Sequence, residues 1–311
     1  MADGRFAPSP TGYLHLGNLR TALVAWLAAR STGGRFLVRM EDLDRVQASA
    51  DHERSQLADL AALGLDWDGE VVRQSERFDR YEAAIAALDA AGLTSPCYCT
   101  RREIREAAAA PHGDPKPEGA YPGTCRELTP AQRRAREADG RPPALRLRVP
   151  DGLEVTVDDA VLGSISAPVD DVVLRRNDGV PAYNLAVVVD DAAQGVDEVV
   201  RGDDLASSSP RQRHLATLLG LAPVAYAHVP LVLGPEGRRL AKRDGAVTLA
   251  DQRALGRGAD EVCGDLARSL GLDVDDGPVR PEDLLAGFGW AAIDRSPWTW
   301  TADSPLGGDG R

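Results

Sequence analysis

The chain has 311 residues, 43% hydrophobic and 27% charged, ordinary globular proportions at a length that accommodates about two domains. Those values exclude a disordered, collagen-like or disulfide-scaffold protein. With 36 Lys and Arg against 48 Asp and Glu, the formal net charge is −12, which by itself argues against a polyanionic partner. The charge is uneven, however. Residues 101–148 hold ten Arg and one Lys against seven acidic residues, and either a basic face or a solvated helical surface fits this stretch. Met1 to Phe6 lacks a basic-then-apolar leader, and the apolar run Ala22 to Ala29 is far shorter than the ~20 residues needed to span a bilayer. The expectation is a soluble, cytoplasmic protein with no membrane association.

In chain order, Gly4 to Ala7 reads as a strand, followed by the turn-rich Pro8 to Gly17 and a helix from Asn18 to Arg30. Asn18 is the expected N-cap, and Leu19, Leu23, Trp26 and Leu27 give an amphipathic helical spacing. Thr32-Gly33-Gly34 ends the helix and Arg35 to Met40 alternates as a strand. Helices are expected at Ala50 to Leu63 and Phe78 to Ala91. This strand-helix-strand opening predicts an α/β domain with a parallel sheet. Composition changes at Leu93, where three cysteines, several prolines and Arg-rich helical pieces precede short strands near Leu145–Arg148, Glu154–Val157, Gly163–Ser166 and Val172–Arg175. Residues 93–176 read as an inserted domain between two halves, 1–92 and 177–272, of one catalytic domain. Alternation returns with helices near Asn184–Ala193 and Ser209–Leu219 and strands at Glu198–Val200 and Ala227–Leu231. Residues 273–311 read as a short helix, Asp283 to Ile293, and a low-complexity tail.

Few nucleotide motifs fit. No G-x-x-x-x-G-K-[ST] loop occurs, and Gly287-Phe288-Gly289-Trp290-Ala291-Ala292 follows a helical run instead of the strand that a dinucleotide fingerprint needs. The first turn carries more. Pro8, Pro10 and Gly12 stiffen a loop that delivers His15 and Gly17 to a helix start, where free N–H groups and the positive dipole end favour phosphate. A structural histidine beside a helix is the competing reading. Arg239-Leu240-Ala241-Lys242-Arg243 is a glycine-flanked basic loop able to close over a polyphosphate.

Together these segments resemble the glutamyl-tRNA synthetases. Arg5 to Asn18 resembles their HIGH-motif opening, and Arg39-Met40-Glu41-Asp42-Leu43-Asp44-Arg45 their R-x-E-D-x-D-R segment. Arg201-Gly202-Asp203-Asp204-Leu205, with Ser209-Pro210-Arg211-Gln212, resembles R-G-x-D-L…S-x-P-R-Q, and the basic loop falls where KMSKS belongs. The likeness runs from Arg5 to Leu272. It implies a Rossmann-like class I nucleotide-binding domain carrying an inserted α+β, zinc-containing acceptor-type domain. The HIGH histidine pair is reduced to His15-Leu16-Gly17-Asn18, and Ala241 replaces the KMSKS serine. Because about forty residues follow Leu272, without room for an anticodon-binding domain, the likeness narrows to the truncated paralogues of the family. These activate glutamate with ATP and attach it to the queuosine base in the anticodon of tRNA(Asp).

The resemblance implies a glutamate pocket of Arg5, Phe6, Ala7, Pro8, Ser9, Glu41, Tyr183 and Arg201. An amino acid with two carboxylates and one ammonium needs two cations, Arg5 and Arg201, and one anion, Glu41. His15, Gly17, Asn18 and Lys242 are implied at ATP, with His15 and Lys242 catalytic and Mg²⁺ accompanying the nucleotide. Cys97, Cys99 and Cys125 suit one structural Zn²⁺ per chain, which takes four ligands. His112 is the generic fourth ligand, whereas the resemblance implies Tyr121. Cys263, in an apolar helical run, reads as a buried thiol. The expectation is a monomer that forms glutamyl-adenylate without tRNA and passes glutamate to the anticodon stem-loop of tRNA(Asp). The alternatives are a 3′-end glutamyl-tRNA synthetase and a non-catalytic RNA- or zinc-binding paralogue.

Overall fold

The computed structural model describes residues 1–100, 102–104, 121–140, 142–240, 244–245, 247–275 and 277–301. Strand β1 (Gly4–Phe6) leads through the Pro/Gly loop to helix α1 (Leu16–Ser31) and strand β2 (Phe36–Met40). Helix α2 (Ala50–Ala62), strand β3 (Val72–Arg73), helix α3 (Phe78–Ala90) and strand β4 (Thr94–Cys97) follow. Helix α4 (Pro130–Ala138) precedes strands β5 (Ala144–Leu147), β6 (Glu154–Asp159), β7 (Gly163–Pro168) and β8 (Val173–Arg175). Helix α5 (Tyr183–Gln194), strand β9 (Glu198–Gly202), helix α6 (Ser209–Leu218) and strand β10 (Ala225–Val229) complete the central alternation. Strand β11 (Val232–Leu233), helices α7 (Leu249–Ala254) and α8 (Ala259–Ser269), two 3₁₀ turns and strand β12 (Trp298–Thr299) close the described chain.

Seven strands form one sheet in the order β3-β2-β1-β9-β10-β6-β7. All its pairings are parallel except the β6–β7 hairpin. The chain winds outward from β1 to β2 and β3, then returns to lay β9 and β10 on the other side. The order in which strands are added therefore reverses between β1 and β9, and in such sheets the crevice beyond the carboxyl ends of the strands at that point receives ligands. The hairpin comes from the stretch expected to be inserted, yet it lies in the main sheet, with Asp159 opposite Tyr226. Strands β4, β5 and β8 form a separate, antiparallel three-stranded sheet.

Helix α1 is the spine of the core. It was expected to be amphipathic, but Leu16, Leu19, Ala22 through Ala29 and even Arg20 are buried. The small residues explain the difference: Ala22, Ala25, Ala28 and Ala29 let elements approach from the faces that an apolar-periodicity count treats as solvent. A Cβ built on Gly4 of β1 would stand 3.3 Å from the Ala29 Cβ, which sets how closely helix and sheet approach. Arg20 is tolerated because its guanidinium donates to the Pro230 carbonyl (2.6 Å), the Ser269 carbonyl (2.9 Å) and the Ser269 hydroxyl (3.0 Å).

The expected helix Asp283–Ile293 is instead a pair of 3₁₀ turns, Pro281–Gly287 and Trp290–Ala292, broken at Phe288-Gly289. Beyond them the chain packs onto the main core: Ile293 and Trp300 are buried in it, and β12 pairs with β11. Among the described residues no helix is long and apolar enough to cross a membrane.

Candidate active site

The Pro8–Leu14 loop is held by hydrogen bonds to its own carbonyls. Pro8 O accepts from Glu41 N (2.9 Å) and Pro10 O from Ser49 N (3.0 Å). The Gln56 amide donates to Ser9 O (3.0 Å) and Gly12 O (2.7 Å). With four of its carbonyls held in this way, the loop presents a fixed wall. The N-cap of α1 is His15, not the expected Asn18. The His15 Nδ1 accepts from Asn18 N (3.2 Å), and the Asn18 side-chain oxygen accepts from His15 N (3.1 Å), forming a reciprocal capping box. An imidazole nitrogen here replaces the hydroxyl or carboxylate usual at a cap.

That geometry fixes the tautomer. Burial and the nearby Arg239 lower the His15 pKa to about 4, so the ring is neutral at pH 7. Because Nδ1 accepts, the proton resides on Nε2. A Cβ at Gly17 would lie 3.0 Å from the His15 Nδ1 and 3.1 Å from its Cε1, so the absent side chain leaves room for the ring.

One open cleft of about 490 Å³ lies at the reversal point of the sheet. It is lined by Arg5, Phe6, Ala7, Pro8, Ser9, His15, Gly17, Asn18, Glu41, Tyr183 and Arg201, together with Asp204 and Arg239. Every expected glutamate- and ATP-contacting residue among those described borders this one space. They come from the ends of β1, β2 and β9, the start of α5 and the start of α1. Lys242, with Ala241 and Arg243, lies outside the described residues. The preceding Arg239 pairs with Asp204 at 2.6 Å across the cleft mouth.

Beneath the cleft floor lies a buried charge network. Arg5 donates to Asp191 (3.2 Å) and to the Val200 carbonyl (2.9 Å). Arg39, fully buried, donates to Asp191 (2.7 Å), Gln194 (2.9 Å) and Glu41 (3.2 Å). Asp190 accepts from Gln74 (3.1 Å), Arg77 (2.6 Å) and Tyr81 (2.7 Å). Arg39 and Arg5 hold the Asp191 carboxyl below its usual range against the opposing effect of burial. Burial raises Glu41 despite the same two arginines, and an incoming ammonium would stabilise its charged form. Arg39 was noted only as part of a motif; its place is beneath the pocket. Asp190 and Asp191 escaped notice altogether, although two adjacent acids inside the apolar run Leu185 to Ala193 are themselves a signal of buried cations.

Arg201 forms the opposite wall. Nη1 donates to Tyr183 (3.2 Å) and Gln212 (2.8 Å), Nη2 to Leu205 O (3.3 Å) and Ser209 (2.8 Å), and Nε to His228 Nε2 (3.0 Å). Burial and Glu41 raise the Tyr183 pKa, so its hydroxyl keeps its proton and can donate into the cleft.

The cysteine cluster is separate, beside the small antiparallel sheet. The sulfurs of Cys97, Cys99 and Cys125 lie within 4.8 Å of one another. The Tyr121 hydroxyl accepts from Cys125 N (2.8 Å), and its ring lies under the Arg146 guanidinium, 3.8 Å from the ring centre. The neighbouring Cys125 and Tyr121 lower the Cys97 thiol from its ordinary value against the opposing effect of burial. Sulfurs bonded at ~2.3 Å to a tetrahedral zinc stand about 3.8 Å apart, so three thiols this close in a buried setting are chemically suited to the ion. His112 lies outside the described residues. Cys263 is buried and unpaired in a disulfide, with burial pushing its thiol up to about 12.

The model of the class I tRNA synthetases (E and Q), catalytic domain, matches residues 2–262. The chain therefore belongs to that family and is a ligase of the aminoacyl-tRNA synthetase type. Within it, the chain is 63% identical over 303 residues to the glutamyl-Q tRNA(Asp) synthetase of Nocardia farcinica, covering 97% of this chain and 94% of that one. It is 51% identical over 308 residues to the glutamyl-Q tRNA(Asp) synthetase of Symbiobacterium thermophilum, covering 96% and 95%. Among solved structures, the glutamate-tRNA synthetase of Elizabethkingia anophelis superposes with a TM-score of 0.82 at 26% identity, covering 96% of this chain and 68% of that one.

Proposed function

We propose that the cleft activates L-glutamate with ATP in the absence of tRNA and that the product glutamate is passed to the queuosine base of the tRNA(Asp) anticodon. The observation that carries this reading is the convergence on one cleft of Arg5, Arg201 and Glu41 with the His15 end of α1. Two cations and one anion match the three charges of glutamate, and the neutral His15 and the helix N-terminus match a phosphate. The glutamate α-carboxylate oxygen attacks the α-phosphorus of ATP, forming the acyl-phosphate bond as the bond to pyrophosphate breaks. A queuosine hydroxyl then attacks the acyl carbon, loses its proton and releases AMP. Mg²⁺ bound to the nucleotide neutralises its β- and γ-phosphate charge. The chain's own contribution is positioning and electrostatic stabilisation, with the His15 Nε2–H donating to phosphate. By resemblance, Lys242 serves the same charge.

The Cys97, Cys99 and Cys125 thiols, with Tyr121 as fourth ligand, hold one structural zinc. It pins the part of the 93–176 segment that lies outside the main sheet, around β4, β5 and β8, as an acceptor-type unit. The transfer preference is supported by near-full-length identity to two proteins named for tRNA(Asp) glutamylation of the Q type.

The test combines glutamate-dependent ATP–pyrophosphate exchange without tRNA and transfer of labelled glutamate to tRNA(Asp). Exchange proceeds in the first. In the second, removing the terminal adenosine leaves transfer intact and removing queuosine abolishes it. Charging of unmodified tRNA that is lost with the terminal adenosine would instead make the chain a 3′-end synthetase.

A further inference from the structure

Behind Arg201, away from the cleft, lie two fully buried side chains that no part of the reaction uses: His228 on β10 and Asp159 at the end of β6. Their hydrogen bonds define a direction. The Asp159 Oδ1 accepts backbone N–H groups from Val161 (3.0 Å), Leu162 (2.8 Å) and His228 (3.2 Å). This fixes the carboxylate plane and leaves Oδ2 facing the His228 Nδ1 at 2.5 Å. Nδ1 must therefore carry the ring proton, and the lone pair on Nε2 accepts from the Arg201 Nε (3.0 Å). The Tyr226 ring stacks on the imidazole, tilted by 14°. Burial, Arg201 and Arg5 keep His228 neutral against the pull of Asp159.

The five bonds of Arg201 fall into two sets. Those to His228, Gln212 and Ser209 measure 3.0, 2.8 and 2.8 Å, and none of these partners borders the cleft. Those to Tyr183 and Leu205, which do border it, are the longest, at 3.2 and 3.3 Å. The guanidinium is thus held tightly from the rear and loosely on the side where an acid group would arrive.

We propose that Asp159 and His228 form a positioning relay. Asp159 sets the tautomer of His228, and His228 fixes the Arg201 guanidinium so that its cleft edge meets a carboxylate of the amino-acid substrate. The proposal rests on the reading that this cleft takes glutamate. It also gives the β6–β7 hairpin a function: by joining the main sheet, it carries Asp159 to the rear of the pocket.

Asp159→Asn makes the distinguishing change. The backbone donors keep the amide oxygen in the Oδ1 position, so the amide nitrogen replaces Oδ2 and donates to Nδ1. The ring proton then moves to Nε2 and opposes the Arg201 N–H. The glutamate KM in ATP–pyrophosphate exchange rises about tenfold or more, as expected for losing a hydrogen bond to a charged group, while the ATP KM is unchanged. In Asp159→Asn/His228→Gln, the glutamine carbonyl can turn to Arg201 without a tautomer to invert, and most of the loss is recovered. Independent damage would instead make the double variant worse.

Nitrogen-15 NMR of the unaltered chain supplies a measurement independent of variant folding, with the His228 proton on Nδ1 and Nε2 unprotonated. An Nε2–H tautomer there, or an unchanged glutamate KM in a folded Asp159→Asn protein, overturns the relay. Failure of the unaltered chain to exchange at all overturns the glutamate reading itself.

Discussion

Replacing His15 separates two tasks carried by one imidazole. Nδ1 caps α1 by accepting from Asn18 N, while Nε2–H is the donor available to phosphate. Asparagine is a strong N-cap but has no group where Nε2 lies, whereas alanine removes both contributions. His15→Ala is expected to lose about 1 kcal/mol of stability from the cap, about 2 °C in Tm for a chain of this size. His15→Asn should stay close to the parent in a thermal melt. Both should lower the pyrophosphate-exchange rate similarly, by about 10²–10³-fold, the usual loss when a donor to developing charge is removed.

The pH dependence is a second readout. With a folded value of about 4 against an ordinary 6.5, the unfolded chain takes up the His15 proton first. Stability from this group is complete above about pH 6.5 and declines as the pH falls towards 4, by about 3 kcal/mol in all. His15→Asn should flatten that acid limb. Exchange near the parental rate in a stable His15→Asn protein would show that His15 only caps the helix.

Gly17→Ala places a methyl 3.0 Å from the His15 Nδ1 and 3.3 Å from the Val232 Cβ; exchange should fall about tenfold with little change in Tm, because better helix propensity offsets the crowding. As pH drops into the carboxylate range, Glu41, whose pKa burial raises, takes up a proton and loses its attraction for an ammonium. The glutamate KM should therefore rise on the acid side, and Glu41→Gln should remove that rise while elevating KM at neutral pH. Protein purified without chelators should contain about one zinc per chain by metal analysis. Cys99→Ser should release it and impair transfer to tRNA more than pyrophosphate exchange. Zinc-free parental protein would refute the metal assignment.

Much of the fold is written locally. The strands at Gly4–Phe6 and Phe36–Met40 and the helices at Ala50–Ala62 and Phe78–Ala90 fall within a residue or two of the sequence expectation, because turn residues and apolar periodicity act over a few neighbours. The loop that borders the cleft was legible for the same reason: Pro8, Pro10, Gly12 and Gly17 constrain backbone wherever they occur. Residue type and order also determined which side chains could meet glutamate and zinc, since charge and thiol chemistry belong to the residue itself.

What only the tertiary structure decided are matters of distant partners. The burial of α1 on nearly every side depends on sheet and helices arriving from both faces. The placement of β6 and β7 in the main sheet depends on pairing with β10, and β12 is a strand only because β11 lies beside it. The partners of Asp190, Asp191, Asp159 and His228 are likewise invisible in the one-dimensional pattern. A buried charge is stable only where its counter-charge or hydrogen-bond partner stands within a few ångströms, and here Arg5 and Asp191 are separated by 186 residues.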